Sequence, residues 1–293
     1  MRPYNRQMTA PRPVSYESYL RVPELLSNQV TLSQPEAHDE LQFIIVHQVY
    51  ELWFKLLLHE VKSVVAHLQA GQAGEGLWLL RRCIEIGRVL IQQIHVMETM
   101  SPAKFLEFRD FLKPASGLQS AQFRALEFMS GLKDPRYLEL YPGSQESRHL
   151  LEEALAAPTL WDAFCDLLKR RGFDTADHDT QIQSLVQVYT KPEYLDLHLL
   201  AEALIEFDEG FRIWRTRHYL MAERMIGFKP GTGVAHTDMM RMSGGASPEL
   251  PRTETGPSFQ DPGVQYLKGR ADKRFFPALW EVRGHLGAGG YGA

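Results

Sequence analysis

His38-Asp-Glu-Leu-Gln-Phe43-Ile-Ile-Val-His47-Gln-Val-Tyr50-Glu-Leu-Trp-Phe54-Lys-Leu-Leu-Leu58-His-Glu60 decides the fold. Its apolar residues return every three to four positions, which is the period of an α-helix. They also nearly encircle it, and a helix apolar on almost all sides belongs inside a bundle or against another subunit. Upstream, Ser33-Gln-Pro-Glu36 has the form of a capping box with proline in the first turn, so the helix is expected to start there and to run to about Gln69. The same three-and-four spacing predicts helices over 75–97, 102–112, 119–129 and 192–227. A helical ending over 266–286 follows, and 287–293 is a glycine-rich tail. Residues 136–180 read as shorter, more polar helices, a small helical subdomain. No stretch alternates in the manner of a strand between turns, so the class is all-α, a helical bundle.

With 293 residues, 44% of them hydrophobic and 11% aromatic, the chain has ample material for a core. The 32 basic and 36 acidic side chains leave a formal charge of -4, with no block of like charge. That balance lacks the electrostatic footprint of a nucleic-acid or membrane-surface binder. The two cysteines, Cys83 and Cys165, form no Cys-x-x-Cys, which argues against a disulfide framework and against covalently attached haem. The first twenty residues hold three arginines but no apolar stretch of secretory length, and no apolar run reaches spanning length. A soluble protein of a reducing, cytoplasmic compartment is expected.

His47 and His218 stand out because each lies on an apolar helical face. By i±3, 4 and 7 spacing His218 shares its face with Phe211, Trp214, Met221 and Met225. A flat hydrophobic cofactor carrying a metal would account for both the surround and the nitrogen, and haem iron on one proximal histidine is the commonest case. The plainer alternatives are burial with an ordinary hydrogen bond, to backbone or Glu51 for His47 and to Glu223 or Arg215 for His218. Arg109 ends the aromatic helical stretch from Phe105, just before a Ser/Gly loop. Its planar donors suit a substrate carboxylate, and a local salt bridge to Asp110 or Glu107 is the competing reading. Glu146-x-x-His149 lacks the second copy that a di-iron bundle requires. His198, Glu202 and Glu206 read as a solvated stripe. Gly231-Thr-Gly233 is a weak anion-binding signal.

Several segments, in order, resemble the tryptophan 2,3-dioxygenase family of haem enzymes. They are Tyr16-Glu-Ser-Tyr19-Leu20, His38 to Gln48, Glu51-Leu-Trp-Phe-Lys55, Phe108-Arg109-Asp110, Pro114-Ala-Ser116-Gly-Leu-Gln-Ser120, Trp214-Arg-Thr-Arg-His218, Gly231-Thr232-Gly233 and Phe275-Phe-Pro-Ala-Leu-Trp280. The resemblance implies His218 as proximal ligand of a haem b, with Trp214 and Ser116 beside the haem. It implies His47 as the distal, catalytic histidine that meets the indole N–H. Arg109 would clamp the substrate carboxylate, Thr232 would lie near the ammonium and carboxylate, and Phe43 and Phe105 would wall the indole. Residues 1–30 would be an arm whose Tyr16, Tyr19 and Leu20 complete a neighbouring subunit's pocket in a homotetramer. The helical haem-binding core would then be 31–230, a mobile lid 231–263, and a C-terminal helix and tail 264–293. The implied reaction, in tryptophan catabolism by the kynurenine pathway, inserts both atoms of O2 across the indole C2=C3 bond of L-tryptophan to give N-formylkynurenine. The chain departs from the family pattern at Val234-Ala-His-Thr-Asp238 and at Leu118. Those departures keep a second reading open, a haem monooxygenase acting on a substituted tryptophan or indole.

Overall fold

A computed structural model describes residues 14–113, 115, 119–140, 144–227 and 263–287. Ser116, Leu118, Thr232, Val234 to Asp238, the first thirteen residues of the arm and nearly all of the 231–263 loop lie outside them. The described elements are α-helices and 3-10 turns, and no strand occurs among the described residues. The helices are α1 (Tyr16–Leu20), α2 (Val22–Leu25), α3 (His38–Gln69), α4 (Ala73–Met97), α5 (Pro102–Phe108), α6 (Ala121–Ser130), α7 (Gln145–Ala156), α8 (Leu160–Arg170), α9 (His178–Thr190) and α10 (Leu195–Ile226). Two further helices, Gly263–Ala271 and Pro277–Glu281, close the described chain.

Helix α3 starts at His38, later than the Ser33-Gln-Pro-Glu36 signal predicts. Ser33 does not cap it: the N-cap is Ala37, with no side-chain cap, and the Ser33 Oγ accepts from the Ala37 N–H at 2.8 Å, one residue before the helix. The loop is held to the helix by Glu40, whose carboxylate accepts from the Leu32 N–H at 2.7 Å, the Ser33 N–H at 3.0 Å and the Ser33 hydroxyl. Burial alone would raise the Glu40 carboxyl, but these donors hold it below its ordinary value. The expected capping box is therefore absent, and Ser33 to Glu36, with Pro35, form a loop outside the helix. Other starts follow their sequence signals. Ser101 caps α5 with Pro102 in its first turn, Ser120 caps α6, and Thr159 and Asp162 form a capping box on α8.

Packing explains where a pocket can lie. Helix α4 packs along both α3 and α10, so it is the floor on which the other two long helices stand. Helix α6 lies against α3, and the short α5 touches both α3 and α10. Helix α8 covers the far part of α3, α7 covers α6, and α9 packs on α10. One buried apolar cluster runs through these helices, with Leu57, Val61, Leu80, Leu90, Phe128, Phe164, Leu200 and Leu204 fully enclosed. By length and composition α3 could cross a membrane. Here it is the helix around which α4, α6 and α8 are arranged, and its buried Glu60 pairs with Arg82 at 2.7 Å.

The C-terminal segment is tied to α10 by a buried carboxylate. Asp208 accepts from the Phe275 N–H at 3.0 Å, the Phe276 N–H at 3.2 Å and the Trp280 indole N–H at 2.8 Å. Three donors satisfy an acid that would otherwise be costly to bury. Gly131, which ends α6 at φ 125°, also admits this segment, because a Cβ there would lie 2.9 Å from the Phe275 carbonyl oxygen.

Candidate active site

Helix α3 supplies one wall of the site. Phe43, His47, Tyr50 and Phe54 follow one another at four, three and four residues and so lie on one face. The His47 Nδ1 donates to the Phe43 carbonyl at 2.7 Å. A carbonyl can only accept, so Nδ1 carries the proton and Nε2 is the acceptor of a neutral ring. Desolvation lowers the His47 pKa, against the raising influence of the Phe43 carbonyl and of Glu51, and this favours that neutral form. Glu51 itself accepts from the Gln122 amide at 2.8 Å, so the backbone, and not Glu51, orients the imidazole. The Phe43 ring lies 4.1 Å from His47.

Helix α5 and the 3-10 turn after it close that end. The Phe105 ring is 5.9 Å from Phe43, and Phe108 stands edge-on to Phe105 at 5.4 Å. Arg109 opens the 3-10 turn Arg109–Leu112 and is only 8% exposed. The local acids that competed for it on sequence grounds have lysine partners: Asp110 with Lys113 at 2.8 Å and Glu107 with Lys104 at 2.7 Å.

The opposite wall belongs to α10. His218 stacks on Trp214 with centroids 5.2 Å apart and planes 7° from parallel. Neither expected partner reaches it. Glu223 accepts from the Tyr219 hydroxyl, and Arg215 turns to Glu127 and to the Lys273 carbonyl. Among the described residues no group hydrogen-bonds His218. Burial, with a smaller contribution from His47, pushes its pKa down to about 4, so the imidazole is neutral with a lone pair to offer. Tyr50 and Phe54, which follow His47 on the same face of α3, both meet the Trp214 ring on which His218 stacks, so the two histidines lie along one seam between α3 and α10.

A metal at His218 fits this arrangement in one particular way. No group of three or more His, Cys, Asp or Glu able to hold an ion occurs among the described residues. A porphyrin iron, which brings most of its ligands with it, suits a lone imidazole of this kind, and the flanking Trp214, Tyr50 and Phe54 rings suit a flat apolar macrocycle. The other histidine motifs lead elsewhere. His149 meets Glu153 at 3.1 Å on the surface, Glu202 pairs with Arg283, Glu206 pairs with Arg88, and His198 packs on the Tyr189 ring.

Of the residues singled out in the sequence, the structure brings together Phe43, His47, Phe105, Trp214 and His218, with Arg109 on the turn that follows Phe105. Tyr16, Tyr19 and Leu20 lie apart on α1 and are 79%, 77% and 45% exposed. Ser116 and Thr232 fall outside the described residues. Tyr50, Phe54 and Phe123 complete the aromatic wall, and the sequence alone assigned none of them a place in the site. Tyr50 and Phe54 lie three and seven residues beyond His47, so the spacing applied to His218 would have found them.

The chain is also similar to known proteins over most of its length. A sequence profile described as tryptophan 2,3-dioxygenase matches residues 5–158. A tryptophan 2,3-dioxygenase of Nocardioides sp. is 45% identical over 280 residues, covering 93% of this chain and 95% of the relative. Those of Anaeromyxobacter dehalogenans and Bacillus thuringiensis subsp. konkukian are 38% and 36% identical, each again over 93% of this chain, covering 96% and 93% of the relatives.

Proposed function

This chain belongs to the tryptophan 2,3-dioxygenase family, and from that premise we propose that it oxidises L-tryptophan to N-formylkynurenine with His218 holding a haem and His47 meeting the substrate. The observation that carries this reading is the pair of neutral imidazoles on opposing walls, one oriented by its own helix and one without a hydrogen-bond partner among the described residues. When bound, ferrous haem supplies the oxygen chemistry, the insertion of both atoms of O2 across the indole C2=C3 bond.

The residues then divide the remaining work. His47 Nε2 accepts the indole N–H, a role its Nδ1–Phe43 hydrogen bond prepares by fixing the tautomer. Phe43 and Phe105 flank the indole and keep water from it. Arg109 presents a two-pronged donor to the substrate carboxylate from a turn anchored by the buried Phe108. Holding both ends of the substrate converts binding into orientation, which is the protein's principal contribution. We place Trp214 and Ser116 beside the haem and Thr232 at the substrate's amino-acid end.

Exposed Val14, Tyr16, Tyr19, Leu26, Val30 and Leu32 form an apolar N-terminal arm, and Leu41, Ile45 and Leu52 are exposed on α3. Their exposure in the single chain supports an arm that packs on a second copy in a homotetramer, where Tyr16, Tyr19 and Leu20 would complete the neighbour's site. Two free, buried cysteines are in keeping with a cytoplasmic location. The haem assignment is tested on His218→Ala. Purified after expression with excess haem, it is expected to retain less than about a tenth of the wild-type haem, since the one protein–metal bond is lost. Full haem content with an unchanged Soret band would reject His218 as ligand.

A further inference from the structure

We infer that Tyr50 is a positioning residue for the proximal ligand, fixing the plane of His218 through Trp214; this rests on the reading of His218 as the haem ligand. The Tyr50 hydroxyl donates to the Leu90 carbonyl of α4 at 3.0 Å. That carbonyl lies in the interior of a helix, where it already serves the α4 backbone, so the hydroxyl adds a cross-helix anchor to a site that does not need it for satisfaction. A phenylalanine would fill nearly the same volume. The hydroxyl therefore does something other than fill space, and what it does is hold the ring of an α3 residue at a fixed place on α4.

That ring bears on Trp214. Tyr50 meets the indole edge-on, with centroids 5.9 Å apart and planes at 72°. Phe54 meets it at 6.2 Å and 88°, and Phe123 of α6 at 5.0 Å. With three rings from two helices around it, the indole has little freedom to tilt. His218 lies parallel to the indole, so its plane follows that of Trp214. Of the three supporting rings, Tyr50 alone has a polar tether to the floor helix. The chain of contacts runs from α4 through Tyr50 and Trp214 to His218 without passing through His47 or Arg109.

The strength of a histidine–iron bond depends on the tilt and rotation of the imidazole, so loosening the tether should appear at the iron. The test is resonance Raman of the ferrous iron–histidine stretch, together with the rate of haem transfer to apomyoglobin. Both are measured on haem-loaded wild type, Tyr50→Phe, Trp214→Phe and the double variant. Tyr50→Phe should fold normally by circular dichroism, shift or broaden the iron–histidine band, and release haem about fivefold faster, the scale of one hydrogen bond. In the Trp214→Phe background the same change should have no further effect on the band. A band and release rate identical to wild type in Tyr50→Phe would overturn the inference, as would full additivity in the double variant. Absence of an iron–histidine band from wild type itself would instead overturn the assignment of His218, so the two failures are distinguishable.

Discussion

Arg109 and His218 are ordinary residue types in unusual surroundings, one buried on a turn and the other with no hydrogen bond among the described residues. Arg109 is only 8% exposed on the turn that follows α5, and its planar donors suit a substrate carboxylate. Arg109→Leu should lower kcat/KM for L-tryptophan about 100-fold, the scale of a lost buried charge-assisted pair, while leaving the haem spectrum unchanged. Steady-state kinetics equal to wild type would remove Arg109 from substrate binding. His218 makes a pH prediction for the haem-free protein. Its folded-state pKa is about 4 against an ordinary 6.5. Between those values the unfolded chain binds the extra proton, so stability is full above about pH 6.5 and is lost as the pH falls towards 4. The melting temperature of apoprotein should therefore drop from pH 7.5 to 5, and His218→Leu should flatten that drop. Equal slopes in the two proteins would mean that His218 is not buried neutral. The sequence announced both residues through their type and neighbours. It missed Tyr50, because a tyrosine on an apolar helix face gives no sign of which carbonyl its hydroxyl will reach.

At the scale of elements, periodicity located every long helix, since each must bury one face and the burial imprints the three-and-four spacing. Ends were less legible. The Ser33-Gln-Pro-Glu36 signal for α3 misled, because Ser33 bonds Glu40 and the Ala37 N–H within the loop and the helix starts at His38 without a side-chain cap. The tie between α10 and Phe275-Phe276 was invisible, as Asp208 and its donors lie more than sixty residues apart. Asp208→Ala would leave three buried donors without an acceptor and should cost about 3 kcal/mol. Asp208→Asn, which keeps an acceptor, should cost less. Chemical denaturation of the two variants checks the order, and an unchanged midpoint for Asp208→Ala would show that the C-terminal segment is held by its aromatic packing alone.

For the whole molecule, the site follows from the way three long helices are stacked. Because α3 and α10 both stand on α4, their facing sides meet through aromatic side chains, and the two histidines fall on opposite walls of that seam. Periodicity could give the all-α class. It could not bring His47 and His218 together, since 171 residues of chain separate them and only the packing on α4 closes that distance. In the proposed reading the substrate is held at both ends, by His47 and Arg109, and both oxygen atoms are inserted. The most direct measurement is the mass of the product formed from L-tryptophan by reduced, haem-loaded protein under ¹⁸O-labelled O2. Two labelled atoms in N-formylkynurenine are predicted. A single labelled atom in a hydroxylated or oxindole product would contradict the dioxygenase assignment and identify a monooxygenase.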